Sequence, residues 1–183
     1  RYEAILEAAK DAAIFGRALP SHAVRIRLYI ESYQTYQKHL DTLLLALHEA
    51  VDRLHGTPVY DRICLLQSLR GVGFLSAVVL MAEMGDFDLF SSPKKLYAYF
   101  GLDPALKQSG KLNGDKVHMS KRGSSLARRV LHMVALNNLK VDKGTKTPVN
   151  PVIYNYYTGK CANKKKNVAV GAVMHKICNI IFA

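Results

Sequence analysis

Residues 22–55 carry one helical period over a length that constrains the fold more than any other feature of the chain. The apolar and aromatic positions Ile26, Tyr29, Tyr33, Tyr36, Leu40, Leu44, Leu47, Val51 and Leu54 are mostly three or four residues apart, which aligns them along one side of a helix. A stripe this long is the seam of a helical hairpin or coiled coil. Pro20 and Ser21 separate it from an earlier helix at 2–18, and Gly56-Thr57-Pro58 closes it. Thr57 as cap and Pro58 in the first turn then open the next helix. We therefore expect residues 1–56 to form a helical coiled-coil or dimerisation arm and residues 57–183 a second domain. The expected fold class is mainly α: the arm, then a compact helical domain containing a helix-hairpin-helix motif and a small β-hairpin.

Charge divides the chain more sharply than hydropathy does. Residues 1–60 hold seven Lys/Arg and seven Asp/Glu, and residues 61–106 hold four and five; residues 107–183 hold fifteen against two. Solvated surfaces mix both signs, so this skew points to a polyanionic partner, with nucleic acid first. Cys64, Cys161 and Cys178 are too scattered for a zinc motif and odd in number for a closed disulfide set, which fits a reducing, cytoplasmic setting. The most apolar window, 168–183, is shorter than a membrane span, and neither a signal peptide nor a membrane partner is expected. A start at Arg1 and an apolar end at "NIIFA" suggest a piece of a longer protein.

The second domain opens with "LLQSLRGVGFLSAVVLMAEMGDF". Leu66, Leu69, Ala77 and Leu80 around Gly71-Val72-Gly73 have the pattern of two short helices joined by a glycine hairpin. Gly71 and Gly73 tolerate the turn and leave the amides at the start of the second helix uncovered for a phosphate. Packing alone explains the same pattern equally well, because only Arg62 and Arg70 are basic nearby. Glu83, Asp86 and Asp88 are close enough to suggest a metal site, but they fall in a turn that ends at the Ser91-Ser92-Pro93 cap, and turn roles account for them. No metal ligand is assigned in this chain. A helix reaching Phe100 stops at Gly101. Asn113-Gly114 then gives a hairpin signal, with Ser109 on the arm leading into it. A helix from Ser125 to about Lys140 carries Leu126, Val130, Leu131, Val134 and Leu139 beside Arg128-Arg129. The loop "DKGTKTP", a helix capped by Asn150 and Pro151, the run "CANKKKN" and an apolar helix from Val168 complete the chain.

Ser109 raises the question of chemistry. A serine nucleophile needs help to lose its proton and cations to steady its target, and Lys107, Lys111 and Lys116 surround it, with Lys121, Arg122, Arg128 and Arg129 further on. Ser120, Ser124 and Ser125 share that basic setting, so residue types alone do not single out Ser109. No nucleophile-elbow pattern surrounds any serine, and His118 has only Asp115 as an acidic neighbour in sequence, which disfavours a hydrolase triad. The serine and lysine of "SSPKK" are explained by a helix start.

"LLQSLRGVGFLSAVVLMAEMGDFDLFSSPKKLYAYFGLDPALKQSGK", "MSKRGSSLARRVLHMVA" and "KKKNVAVGAVMHKI" stand in this order. Together they resemble the C-terminal transposase domain of the insertion-sequence one-ten family, the serine-dependent, bridge-RNA-guided recombinases related to Piv-type DNA invertases. The resemblance covers about residues 62–182, and the upstream arm resembles the coiled coil that precedes that domain. It implies that Ser109, in "KQSG", attacks the DNA backbone and holds it as a covalent phosphoserine link during RNA-guided strand exchange. It implies DNA and guide (bridge) RNA as partners, in contact with Lys121, Arg122, Arg128, Arg129, Lys164, Lys165 and Lys166, and a homo-oligomer, dimer or tetramer, in a prokaryotic cytoplasm at the nucleoid. It also implies magnesium in an N-terminal RuvC-like domain that this sequence lacks, with no cofactor in this chain. The expected function is thus that of a DNA recombinase or transposase fragment, inactive alone. The alternative is a non-catalytic helix-hairpin-helix nucleic-acid-binding and assembly module in which Ser109 is incidental. A pure assembly domain is a third, weaker reading.

Overall fold

The computed structural model describes residues 2–15, 20–105, 108–109, 112–113 and 118–183. It is mainly helical and divides into two compact units, Arg1–Leu54 and His55–Ala183.

The first unit holds α1 (Tyr2–Phe15) and α2 (Pro20–Asp52). Pro20 begins α2, where its missing amide would have had no helical partner. The helix has 33 residues, a length of about 50 Å. Tyr33 and Tyr36 are each 67% exposed and Leu40 is 52% exposed; among the described residues of α2 only Val51 is buried. The expected seam is therefore an open apolar stripe.

The second unit runs α3 (Pro58–Ser68), α4 (Phe74–Met84), a 3-10 turn (Phe87–Leu89), α5 (Pro93–Tyr99), β1 (Gln108–Ser109), β2 (Leu112–Asn113), α6 (Ser125–Asn138), α7 (Pro151–Lys160) and α8 (Lys166–Phe182). Side-chain caps set three of the helix starts. Thr57 Oγ1 accepts from Tyr60 N at 3.4 Å, Ser124 Oγ from Ala127 N at 3.0 Å, and Asn150 Oδ1 from Ile153 N at 3.2 Å. The last helix begins at Lys166, two residues before the expected Val168.

Helix α8 is the centre of this unit: α5, α6 and α7 pack on it, while α4 joins α6 to α3. Leu80, Leu96, Phe100, Leu131, Val173 and Cys178 are fully enclosed. The buried face of α6 runs Ala127, Leu131, Val134, Ala135 and Asn138, the spacing of a single helical stripe. Leu126, expected on the apolar side, is 47% exposed. The small Ala127 and Ala135 face inward instead, because α6 is packed against both α4 and α8 and alanine leaves room for the approach.

The tightest point in the unit is a crossing of backbone on backbone. A Cβ added at Gly123 would lie 2.5 Å from the Phe100 carbonyl carbon and closer still to the Tyr99 carbonyl oxygen. One added at Gly101 would lie 2.5 Å from the Gly123 nitrogen. Gly101 also has φ +66, the left-handed region that disfavours a side chain. Beyond the crossing the strands stay paired: Lys121 N donates to Gly101 O at 2.9 Å, Ser120 N to Asp103 O at 2.7 Å and Ala105 N to His118 O at 2.7 Å.

The chain enclosed by the last rung contains the short antiparallel pair, in which Gln108 faces Asn113 and Ser109 faces Leu112. Asn113 therefore sits in the ladder, and Asn113-Gly114 does not link these two strands. The link is residues 110–111, which lie outside the described residues, as do Lys107, Lys111 and Lys116.

Gly123→Ala should destabilise the protein by about 3 kcal/mol through overpacking against backbone that cannot yield. Gly171→Ala, in α8 with nothing within 4 Å of the added atom, should stabilise by about 0.5–1 kcal/mol. Urea unfolding of both variants checks the contrast; equal effects would show that the crossing is not rigid.

Candidate nucleic-acid interface

The crossing is braced by a side chain that the sequence marks only as basic. Arg128, one turn into α6, points Nη1 back at two backbone carbonyls, Phe100 O at 3.0 Å and Gly123 O at 2.6 Å. The guanidinium is half-buried, whereas that of neighbouring Arg129 is exposed. Two adjacent arginines thus differ in kind: one ties α6 to the crossing, and the other faces solvent. Ser120 Oγ donates to the Asp103 carboxylate across the same paired segment. Burial first, then Cys178 and last Asp103, raise the pKa of the Tyr97 phenol above its ordinary value.

Of the sequence-selected residues here, the structure groups Lys121, Arg122, Arg128 and Arg129 at the crossing and the start of α6. Lys121 is exposed at φ +55, a left-handed position that costs a non-glycine residue on the order of 1 kcal/mol. Ser109 belongs to β1, in the stretch enclosed by the Ala105–His118 rung. Ser124 caps α6 and Ser125 opens it. Lys164, Lys165 and Lys166 are exposed in a separate patch at the start of α8.

The expected glycine hairpin divides into two unlike halves. Gly71, at φ +83, lies against buried Asn138, whose Nδ2 would be 2.5 Å from an added Cβ. Asn137 Nδ2 donates to Gly71 O at 3.5 Å. Gly73 is exposed, has nothing within 4 Å of an added Cβ, and begins α4 without a side-chain cap. Packing accounts for Gly71, and only Gly73 leaves backbone open.

Asn138 is a junction that the sequence did not reveal. Only 2% exposed, it donates through Nδ2 to Val134 O at 2.9 Å and accepts at Oδ1 from Asn150 Nδ2 at 2.7 Å. Asn150 is the cap of α7, so one buried amide links the α3–α4 turn, α6 and the start of α7.

Asp86 and Asp88 have turn roles. Asp86 Oδ1 accepts from Asp88 N at 3.1 Å, and Asp88 forms an ion pair with Arg62 at 2.8 Å. Among the described residues no group of three or more His, Cys, Asp or Glu is placed to hold a metal ion. Cysteine chemistry is also disfavoured at the core: Cys161 and Cys178 are buried, and burial pushes the Cys178 thiol up to about 12. No described helix is long and apolar enough to cross a membrane.

Residues 64–150, from α3 to the cap of α7, match the model of the transposase IS116/IS110/IS902 family. The chain is 36% identical over 69 residues to a putative transposase, y4qE, of Sinorhizobium fredii, an alignment covering 38% of this chain and 17% of that protein. It is 31% identical over 84 residues to an uncharacterized 43.6 kDa protein of insertion element IS110 from Streptomyces coelicolor, covering 45% of this chain and 20% of that protein.

Arg128→Ala should cost about 1–3 kcal/mol, because it strips a charged donor from two carbonyls in a part-buried place. Arg129→Ala should stay within about 0.5 kcal/mol. Denaturation midpoints measure the difference, and equal midpoints would remove Arg128 from the crossing.

Proposed function

We propose that this chain is the serine-bearing part of a DNA transposase of the IS110 kind, acting by serine nucleophilic recombination. The observation that carries the reading is that the family match spans the crossing and the segment it subtends, with Ser109 in the stretch enclosed by the Ala105–His118 rung and in the part of the chain, residues 107–183, that holds fifteen cations against two acids. Two of the three other serines of that region have structural work, while Ser125 is exposed in the first turn of α6. Ser120 is bonded to Asp103, and Ser124 caps α6.

In this reading Ser109 Oγ loses its proton and attacks a phosphodiester phosphorus of the DNA. An Oγ–P bond forms, a P–O bond to the departing strand breaks, and that strand leaves as a hydroxyl end. The phosphoserine ester keeps the bond energy, so a second strand's hydroxyl can reverse the step and rejoin. Lysine and arginine side chains from the segments around Ser109, with Lys121, Arg122 and Arg129, hold the phosphates and neutralise charge that builds on the non-bridging oxygens. Magnesium would supply Lewis-acid activation from carboxylates of an additional RuvC-like domain; the described residues here do not form such a cluster, and no step is assigned to it.

Two polyanions then share the basic surface, the DNA and a guide RNA, with Lys164, Lys165 and Lys166 offering a second place of contact. The open stripe of α2 is the place for another copy of the chain, since an uncovered apolar seam of that length calls for a partner.

The test uses the full-length parent protein, its guide RNA, magnesium and labelled target DNA on a denaturing gel. A covalent protein–DNA band should form with Ser109 and disappear with Ser109→Ala. Persistence of the band would move the nucleophile elsewhere. Absence of any band, with salt-dependent binding retained in both proteins, would favour the non-catalytic binding and assembly module.

A further inference from the structure

We infer that the loop between α6 and α7, residues 140–149, is a second contact for the DNA backbone, built together with the α3–α4 turn. The inference rests on the reading above that the polyanion is DNA, and it adds residues which that reading does not use.

The loop carries Lys140, Lys143 and Lys146, three exposed lysines at a spacing of three. None forms an ion pair among the described residues. Its one carboxylate is turned inward: Asp142 Oδ1 accepts from Gly144 N and Thr145 N, each at 2.8 Å, and from Thr145 Oγ1 at 3.1 Å. The same bonds, those from Thr145 and Gly144 amides first, hold the Asp142 carboxyl below its usual range. Its contribution to loop order is therefore complete above the ordinary carboxylate range and is lost only as pH falls through the lowered value. At neutral pH the acid acts as a brace, and it does not screen the lysines by pairing with them.

The loop is also closed on itself. Asp142 N donates to Thr147 O and Val149 N to Lys140 O, both at 2.9 Å, and the Thr145 and Thr147 hydroxyls are 2.6 Å apart. A loop fixed in this way presents its charges without a large ordering cost on binding.

It is fastened to the turn between α3 and α4. Arg70 Nη1 donates to Val149 O at 3.4 Å, Lys140 Nζ to Asn137 Oδ1 at 2.7 Å, and Asn137 to Gly71 O. The glycine turn has little positive charge in its own sequence; the fold brings it the cations from a loop seventy residues downstream, beside the exposed Arg70 and Gly73.

The chemistry favours duplex backbone. Residues 140–150 contain no aromatic side chain on which an unpaired base could stack. Lysines are point charges suited to phosphates, without the planar fork that reads guanine or clamps in two places. Contacts of this type position a duplex and carry no sequence information.

The test is binding of the full chain to two unrelated DNA duplexes over a range of salt. With Lys143→Gln and Lys146→Asn combined, the slope of log K against log salt should fall by about 1.8, or 0.9 for each lost phosphate contact, equally on both sequences. Affinity near 0.15 M salt should drop roughly 30-fold on the same scaling. The thermal midpoint should not fall, since these two side chains hold nothing else and Asn suits the left-handed backbone of Lys146, at φ +53. Lys94→Gln with Lys95→Gln, the same charge change at the start of α5, should alter the slope much less.

An unchanged slope, an equal fall in the α5 variant, or a fall confined to single strands or to an RNA duplex would each overturn the inference. The Ser109 gel separates the two proposals. A covalent band with an unchanged slope removes this surface and leaves the recombinase reading, and a lowered slope without any Ser109-dependent band does the reverse.

Discussion

Two backbone segments that touch without side chains between them frame this protein's second unit. At Gly101 and Gly123 the chain passes so close to itself that no Cβ fits on either side, and packing of that kind is intolerant of displacement. The crossing fixes the paired backbone on its two sides, Gly101–Ala105 and His118–Lys121. It is held from three directions: by the rungs from Lys121 to Ala105, by the Ser120–Asp103 bond, and by Arg128 reaching back from α6. A functional segment needs a base of this sort, because the precision of a reactive group is limited by the stiffness of what supports it.

Asn138 does for the other end of α6 what Arg128 does for its beginning. A buried amide is costly unless its bonds are made, and here they join Val134 and the α7 cap, with Gly71 pressed against the ring of bonds. The two ends of α6 therefore each fasten a different basic loop to one apolar core. This division explains how a segment with fifteen cations and two anions folds at all. Most of the described positive side chains stand exposed on loops and at helix starts, while α6 and α8 bury almost wholly apolar faces.

Local chemistry made much of this legible. Thr57-Pro58 and Asn150-Pro151 announced helix starts, and Gly101 announced a helix end, because caps and glycine stops act within a few residues. The mainly helical class followed from periodicity for the same reason. What was hidden depends on distance along the chain: Arg128 meets Phe100 across 28 residues, and Asn137 meets Gly71 across 66. Nothing in the pattern around Arg128-Arg129 says that the first ties the crossing and the second is free. Asn113-Gly114 signalled a small hairpin with Ser109 on its first arm, but its register depends on which strand residues pair and is not written in the dipeptide. The lysines of the α6–α7 loop were seen as a basic loop but not as neighbours of the glycine turn, since only the fold brings them together. For the candidate site, the serine was marked by resemblance and its brace was visible only in three dimensions.

The start of α8 shows the electrostatic logic in its plainest form. A helix N-terminus is the positive end of its dipole and prefers acids, by about 0.3–1 kcal/mol for an exposed charge. Here Lys164, Lys165 and Lys166 stand at that end instead, the first turn has no acid, and no side chain caps it. Lys121 adds a second unfavourable placement, a cation on left-handed backbone. Such choices lower the stability of the isolated chain, and under the proposed function phosphate oxygens would offset the charge at the start of α8 by bringing both negative charge and acceptors. Under the proposed function the same arrangement is the source of affinity: a polyanion that binds only the folded state stabilises it by mass action. The core's apolar helices then have to be rigid enough to bear the repulsion until the nucleic acid arrives, which is the part that the glycine crossing and the Asn138 junction perform.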